Sequence, residues 1–561
     1  MLPRSLRHRA PLLWILLPMM AGIVCGKMMS SWVNPWWPVG AGTISLVLAW
    51  RLRLRPFGWS AAFCSAIFLL SAAYFELRDH RSNALAESPP SECTLHLKIE
   101  HVFLGSVNSA SASKRVSGIG RIVDESRVTI GKKNPSRFVP PTALSKGVLV
   151  SFSGRVSPKE SNAPLRSSII AIRGRIEPIP QNPVAHSFDE YLQSTGVTAK
   201  LSQGRVIGFD QAPSRYAKFC ETLRLEIGRI LGLGLGQRSE LAAENRALFL
   251  GEVGGLGDAR KRLFVETGTL HFFAIDGLHI AAVAVALHIL FGVTRCPKSL
   301  SFAVTAIALW LYADLTGRSP SAVRAVLTVL FFEGAYLLRR PINPLAGLSA
   351  SAMIALLLSP RELFGASFQM SYGIVAGLLL LGLPLAEQWQ TRWTLFRHLP
   401  RVSWRLAHHS LHALHRHLLS GMAIGIATGL VADICGVQFF QLYSPVSILA
   451  NLVLIPAASF ALWANFCAAI CGLAHISWLA SVFNHAAALI LLGMDKAIQC
   501  LVRLPWAVLP RQFPSMDVGF ALIAALIGSL LFGYAARWSW RFGAWLPPVA
   551  ITVFALVFLS R

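Results

Sequence analysis

Apolar runs of bilayer length recur from one end of this chain to the other, and nothing constrains its fold more. A helix needs about 20 apolar residues to cross the hydrocarbon, and lipid offers no partner to an unpaired backbone group, so such runs are helical. Three come early, at residues 11–26, 36–50 and 57–75. Ten follow, at 268–293, 300–315, 321–338, 344–358, 368–385, 419–439, 448–473, 479–501, 518–535 and 544–559. With 54% hydrophobic and 14% charged residues, the expected fold class is a polytopic α-helical membrane protein.

One stretch breaks the pattern. Residues 78–210 are polar, rich in Ser, Gly and Pro, and contain no spanning run. Five strand-like runs stand out there, at 94–104, 118–130, 147–156, 168–178 and 197–209. Val148, Val150 and Phe152 alternate with Leu149, Ser151 and Ser153, which buries one face of a strand. Five strands in so short a segment suit a small OB-like β-barrel, an all-β domain inserted in the helical chain. The segment is basic, and Lys114, Arg115, Arg121, Lys132, Lys133 and Arg155 are its candidate phosphate contacts. An ordinary solvated surface explains the same charges. The aromatic content noticed there (Phe103, Phe138, Phe152) is low, so base-stacking platforms are not evident.

The net charge is +25. For a membrane chain this points first to cytoplasmic loops and anionic lipid, and second to nucleic acid. Arg4, Arg7 and Arg9 precede the first run and Arg51, Arg53 and Arg55 follow the second, which places the N-terminus in the cytoplasm and the polar segment outside. Arg295 with Lys298, Arg339 with Arg340, residues 392–417 and residues 537–541 then all fall on the cytoplasmic side. Two independent cues agree. The first run is expected to stay as an uncleaved helix. No CxxC pair occurs among the nine cysteines; Cys467 and Cys471 read as buried apolar groups. His398, His408, His409, His412, His415 and His417 read as a basic loop helix on lipid headgroups rather than a metal site. The chain is expected to divide at 1–77, 78–210, 211–266 and 267–561, the third part holding an amphipathic helix at 215–231.

Residues 246–290 carry the sharpest polar feature. A charged approach runs into an apolar segment with His271, Asp276 and His279 near its start. Ionisable groups inside a membrane are costly and face a bundle interior or a wet cavity. Gly277 is expected to loosen the helix there or admit another backbone. Asp276 and His279 share a helix face and are able to pair.

At TGTLHFFAIDGLHI (residues 267–280) the sequence resembles the membrane domain of the ComEC competence family, whose pattern there is approximately TG…H…A-SGLH. Asp276 stands where that pattern has Ser. Further likenesses follow in family order at 250–256, TGRSPSAVRA (316–325), RRPINPLAGL (339–348), LFGASFQMSYGIVAGLLLL (363–381) and NLVLIPAASF (451–460). Upstream, NPVAHSFDEYLQSTGVTAKL (182–201) resembles the segment closing the family's extracellular OB-like domain. The resemblance implies passage of single-stranded DNA across the bacterial inner membrane in natural transformation. It also implies separate motor and DNA-receptor proteins, since no GxxxxGK[ST] pattern is present, and leaves room for a homo-oligomer. His271, Asp276, Gly277, His279, Ser319, Ser321, Arg324 and Gln369 are the pathway candidates, with Ser367 and Ser371 beside them. The HxHxDH signature of the family's metallo-β-lactamase-like domain is absent from the sequence, so no hydrolase site, catalytic residue, metal or cofactor is expected. The competing reading is a proton-coupled transporter of another anion, with Asp276 and the two histidines as relay.

Overall fold

The computed structural model describes residues 11–29, 36–79, 90–103, 114–123, 129–130, 147–156, 164–180, 187–235, 239–257, 264, 270–340, 343–400, 403–504, 508–538 and 546–557. The chain divides into two compact units. The first comprises Met1–Leu225, Leu311–Arg318 and Ser349–Gly365, and the second comprises the rest.

The first unit opens with helices α1 (Leu13–Met29), α2 (Trp36–Arg51) and α3 (Pro56–Asp79). A Gly-x-x-x-Gly pair lets α1 touch the backbone of α3, as small residues do in membrane helix pairs. A Cβ on Gly22 would lie 2.2 Å from the Phe68 carbonyl oxygen, and one on Gly26 would lie 2.7 Å from that of Ala72.

The polar segment is a small closed barrel. Its strands are β1 (Ser91–Val102), β2 (Lys114–Ile122), β4 (Leu149–Val156), β5 (Ile169–Pro178) and β6 (Ala199–Gln211), with the short β3 (Thr129–Ile130) beside β1. The ladder runs β1–β2–β4–β6–β5 and returns to β1; only β4 and β6 are parallel. Val150, Phe152, Ile170, Ile172, Leu97 and Leu201 fill the interior, as the alternation around Val150 requires. The run expected at 118–130 is not one strand. β2 ends at Ile122 and pairs with Leu97–Val102 of β1, whereas Thr129 and Ile130 pair with Thr94 and Cys93 in a different register; residues 124–128 lie outside the described residues. Helix α4 (Phe188–Ser194) joins β5 to β6, and α5 (Arg215–Ile230) follows the barrel. The apolar residues of α5 are partitioned: Ile227 and Ile230 are buried, Tyr216 and Phe219 exposed.

The second unit contains α6 (Ser239–Leu250), α7 (Gly277–Val293), α9 (Pro320–Leu337), α11 (Ala366–Gly377), α12 (Leu383–Arg392), α13 (Leu406–Phe440), α14 (Ser447–Leu473), α15 (Ser477–Val502), α16 (Met516–Ala535) and α17 (Leu546–Val557). The boundary passes through α5, α8 (Lys298–Leu315) and α10 (Pro344–Leu358). Among the described residues, eight helices are long and apolar enough to cross a bilayer and four shorter apolar helices accompany them. This is a multi-pass membrane protein.

One expected span is corrected. The run at 268–293 becomes helical only at Gly277, after a 3-10 turn at Leu270–Phe273. Hydropathy is continuous there, but the Asp276 side chain accepts the Leu278 N–H and starts the helix. The apolar run at 448–473 is the helix α14, which continues through Pro456. The histidines 408–417 belong to the first turns of the long α13, where Trp404 packs against His409 and His412, and Phe396 against His408.

Candidate functional site

In the second unit the starts of three helices are tied together. Gly317 takes φ +88° as α8 ends, and Ser319-Pro320 begins α9 with a capping hydroxyl and a proline at the first helical position. Ser319 Oγ accepts the Ala322 N–H at 3.2 Å and donates to the Ile275 carbonyl at 3.1 Å, one residue before the cap of α7. Arg324, one turn into α9, donates through Nη2 to Ser367 Oγ at 2.7 Å and to the Ser367 carbonyl at 2.8 Å, at the start of α11. Its guanidinium also lies 5.7 Å from the centre of the Tyr372 ring. Arg324 is 3% exposed. Each helix N-terminus carries about half a positive charge. Three of them beside a buried guanidinium form a region suited to anions.

Asp276 lies in this region without opposing it. Its Oδ1 caps α7 through the Leu278 N–H at 2.9 Å and lies 3.0 Å from His279 Nδ1. Ser and Asp are equally good N-caps, so the departure from the resembled pattern keeps the local structure and adds a charge that the helix dipole stabilises. His279 is fully buried, and its Nε2 has no hydrogen-bond partner among the described residues. Gly277 is the first residue of α7, and a Cβ there would meet open space, so no other described backbone approaches it closely. Ser321 and Gln369 are half-buried on the first turns of α9 and α11. His271 is in the 3-10 turn, with its side chain outside the described residues.

Deeper along α7 and α9 is a pair the sequence reading missed: His288 Nε2 lies 3.0 Å from Glu333 Oε1. Both are ionisable residues inside apolar runs, the signal that would have found them.

In the first unit, pairing register gathers the barrel's cations. Arg115 of β2 is opposite Arg155 of β4, Arg155 opposite Arg205 of β6, and Arg205 opposite Arg173 of β5. Four arginines thus form one rung across four adjacent strands. Arg155, Arg205 and Arg173 point outward; of Arg115 and Lys114 only the backbone is described. Arg173 has Glu92 at 3.7 Å, while Arg155 and Arg205 have no carboxylate within ion-pair distance among the described residues. Like charges directly opposite one another destabilise a sheet, so this rung favours a polyanion against it. Arg121 differs, with its Nε 2.6 Å from Glu100 Oε1. Lys132 and Lys133 lie outside the described residues. Arg205 and Arg173 were missed by the sequence reading, because a rung exists only once three registers are known.

Among the described residues no three His, Cys, Asp or Glu side chains are grouped as metal ligands. No solved structure matches the chain. A curated relative, ComE operon protein 3 of Bacillus subtilis (strain 168), is 30% identical over 138 residues, which is 24% of this chain and 17% of that protein. The chain therefore aligns with under a fifth of that relative's length. The profile described as "Competence protein" matches residues 248–537, just over half of the chain and all of the tied helix starts. The polar helix starts inside an apolar bundle thus sit within the matched region, and the chain belongs to the competence protein family of the ComEC type.

Proposed function

We propose that the chain is the inner-membrane conduit for single-stranded DNA in natural transformation. The barrel is extracytoplasmic, the N-terminus is cytoplasmic, and the strand passes from the barrel to the helical bundle. One observation carries the reading: Arg324 is buried where α7, α9 and α11 begin. A phosphate backbone cannot cross hydrocarbon bare, and this region offers it a guanidinium, hydroxyls and three helix dipoles. The barrel supports the reading as an OB-like module, with five ring strands and an arginine rung for phosphates. The chain acts as a pathway rather than a hydrolase, and the force comes from a separate motor protein.

The test is genetic. Deleting the gene from a naturally transformable strain should abolish nuclease-protected DNA in the cytoplasm while surface-bound DNA persists. Arg324→Gln should reproduce the deletion. Unchanged uptake in the deletion strain removes the conduit.

The Asp276–His279 pair favours a second reading, a proton-coupled carrier of another anion. Asp276→Ser separates the two. A conduit tolerates it because the cap is kept, whereas a carrier relaying protons through Asp276 stops or loses its pH dependence.

A further inference from the structure

Three aromatic side chains meet on the outside of the barrel. Phe103 follows β1 directly, and Phe188 and Tyr191 lie one turn apart on α4. Phe188 and Tyr191 are stacked, with ring centres 5.8 Å apart and planes at 25°. Phe103 meets Phe188 edge-on at 5.9 Å, and His101 backs Phe103 at 5.3 Å. The opposite side of α4 is anchored: Leu192 is buried with Ile119, Ile179 and Val197. The helix therefore holds its two aromatic rings out on a fixed base, with Phe188 55% and Tyr191 41% exposed.

We propose that Phe103, Phe188 and Tyr191 form a stacking platform for unpaired nucleobases and make the barrel select single strands over duplex. The proposal rests on the reading of the chain as a DNA conduit. Phe103 lies in the connection between the first and second ring strands, and α4 in the connection between the fourth and fifth. These two connections grip oligonucleotides in OB barrels. Two cations lie beside α4, one of them already paired with a carboxylate. Lys200 pairs with Asp189 on α4, Arg361 Nη1 lies 3.5 Å from the Gln193 carbonyl at the end of α4, and the arginine rung crosses the same barrel. An aromatic surface bordered by cations matches a single strand, whose bases stack while its phosphates are neutralised. A duplex keeps its bases stacked inside and offers the platform nothing. A lipid surface is the weaker occupant. The aromatic residues suited to a membrane interface in this unit are tryptophans on α1 and α2, with Trp14, Trp36, Trp37 and Trp50 all exposed by half or more.

The test uses the full chain in lipid nanodiscs with fluorescein-labelled oligo(dT), and an abasic oligomer of equal length that keeps the phosphates and lacks the bases. Phe188→Ala with Tyr191→Ala should weaken oligo(dT) binding at least tenfold and leave the abasic oligomer unchanged. Phe188→Tyr with Tyr191→Phe, which keeps both rings, should bind as wild type does. A bromodeoxyuridine oligomer should photocross-link to Tyr191. Arg155→Gln with Arg205→Gln should weaken both oligomers. If the alanine pair binds oligo(dT) as tightly as wild type, or Tyr191 cross-links to a photoactivatable phosphatidylglycerol instead of the oligomer, the platform is overturned while the conduit stands. If the wild-type chain binds neither oligomer, the conduit reading falls as well.

Discussion

Trp538 Nε1 donates to the Leu380 carbonyl at 2.9 Å, and Leu380 carries the carbonyl to which residue 384 would donate its backbone N–H in an α-helix, a bond that Pro384 cannot make. Proline has no N–H and its ring pushes against the carbonyl four residues back. The helix from Ala366 to Arg392 absorbs this through a π-helical turn at Leu378–Gly382. An indole from a residue 158 positions later satisfies the freed oxygen, as neighbouring elements do for prolines in membrane helices. Gly533 leaves room for the ring, since a Cβ there would lie 2.5 Å from it.

Trp538→Phe is therefore expected to cost about 1–3 kcal/mol, the penalty of a buried acceptor left unmade. Pro384→Ala in the same chain restores a donor at that turn and should recover part of the loss. Thermal unfolding of the four combinations in detergent checks the cycle; additive effects would disconnect the indole from the proline.

Much of the architecture was legible because its causes are local. Alternation around Val150 announced a strand, the apolar runs announced the bundle, and the spacing of Asp276 and His279 announced their pairing. What stayed hidden depends on partners far along the chain. Continuous hydropathy gave no hint that α7 starts at Gly277, because a single cap decides it. The arginine rung needs three strand registers, including the irregularity between Phe152 and Gly154. The aromatic cluster joins Phe103 to a helix more than eighty residues on, which is why a count of aromatic residues in the polar segment overlooked it.

Asp276 should behave as a cap first. Asp276→Ala is expected to destabilise the start of α7 by about 0.5–2 kcal/mol, and Asp276→Ser by little. Hydrogen exchange of the Leu278 amide is the direct measure. Equal protection in the Ala and Ser variants would show that the carboxylate is not the cap.

Asp314 holds the first unit together at the end of α8. Its Oδ1 accepts from Arg166 Nη1 at 2.8 Å and its Oδ2 from the Tyr216 hydroxyl at 2.9 Å, so it links the barrel's β4–β5 connection to α5 and α8. Burial, and then the bond to Asp314, push the Tyr216 hydroxyl above the usual tyrosine range. Asp314→Ala should cost roughly 1–3 kcal/mol, moderated because Arg166 remains partly hydrated. Limited proteolysis of the barrel within the full chain should accelerate in this variant, and Tyr216→Phe should produce a smaller increase.

The arginine rung predicts a salt signature. For single strands the logarithm of affinity falls with the logarithm of salt at about 0.7 per phosphate neutralised. Arg155→Gln with Arg205→Gln should flatten that slope by about 1.4, twice this single-strand value, in titrations of the full chain with oligo(dT). Arg121→Gln should change it less, because Glu100 already offsets that charge.

His101 makes the first unit sensitive to acid. Burial, and secondarily the charge of Arg166, lower its pKa below the ordinary 6.5, against the opposing effect of a hydrogen bond to the Gly317 backbone. A histidine depressed on folding binds its proton more readily when unfolded. Its contribution to stability is complete above about pH 6.5 and is lost as pH falls through the lower folded value. The slope in that window cannot exceed one proton, about 1.4 kcal/mol per pH unit. Melting temperatures of the full chain should fall between pH 7 and pH 5 by more in wild type than in His101→Gln. Identical pH profiles would mean that the Gly317 contact and the ring beside Phe103 survive protonation, and the acid sensitivity of the barrel would have to come from its carboxylates.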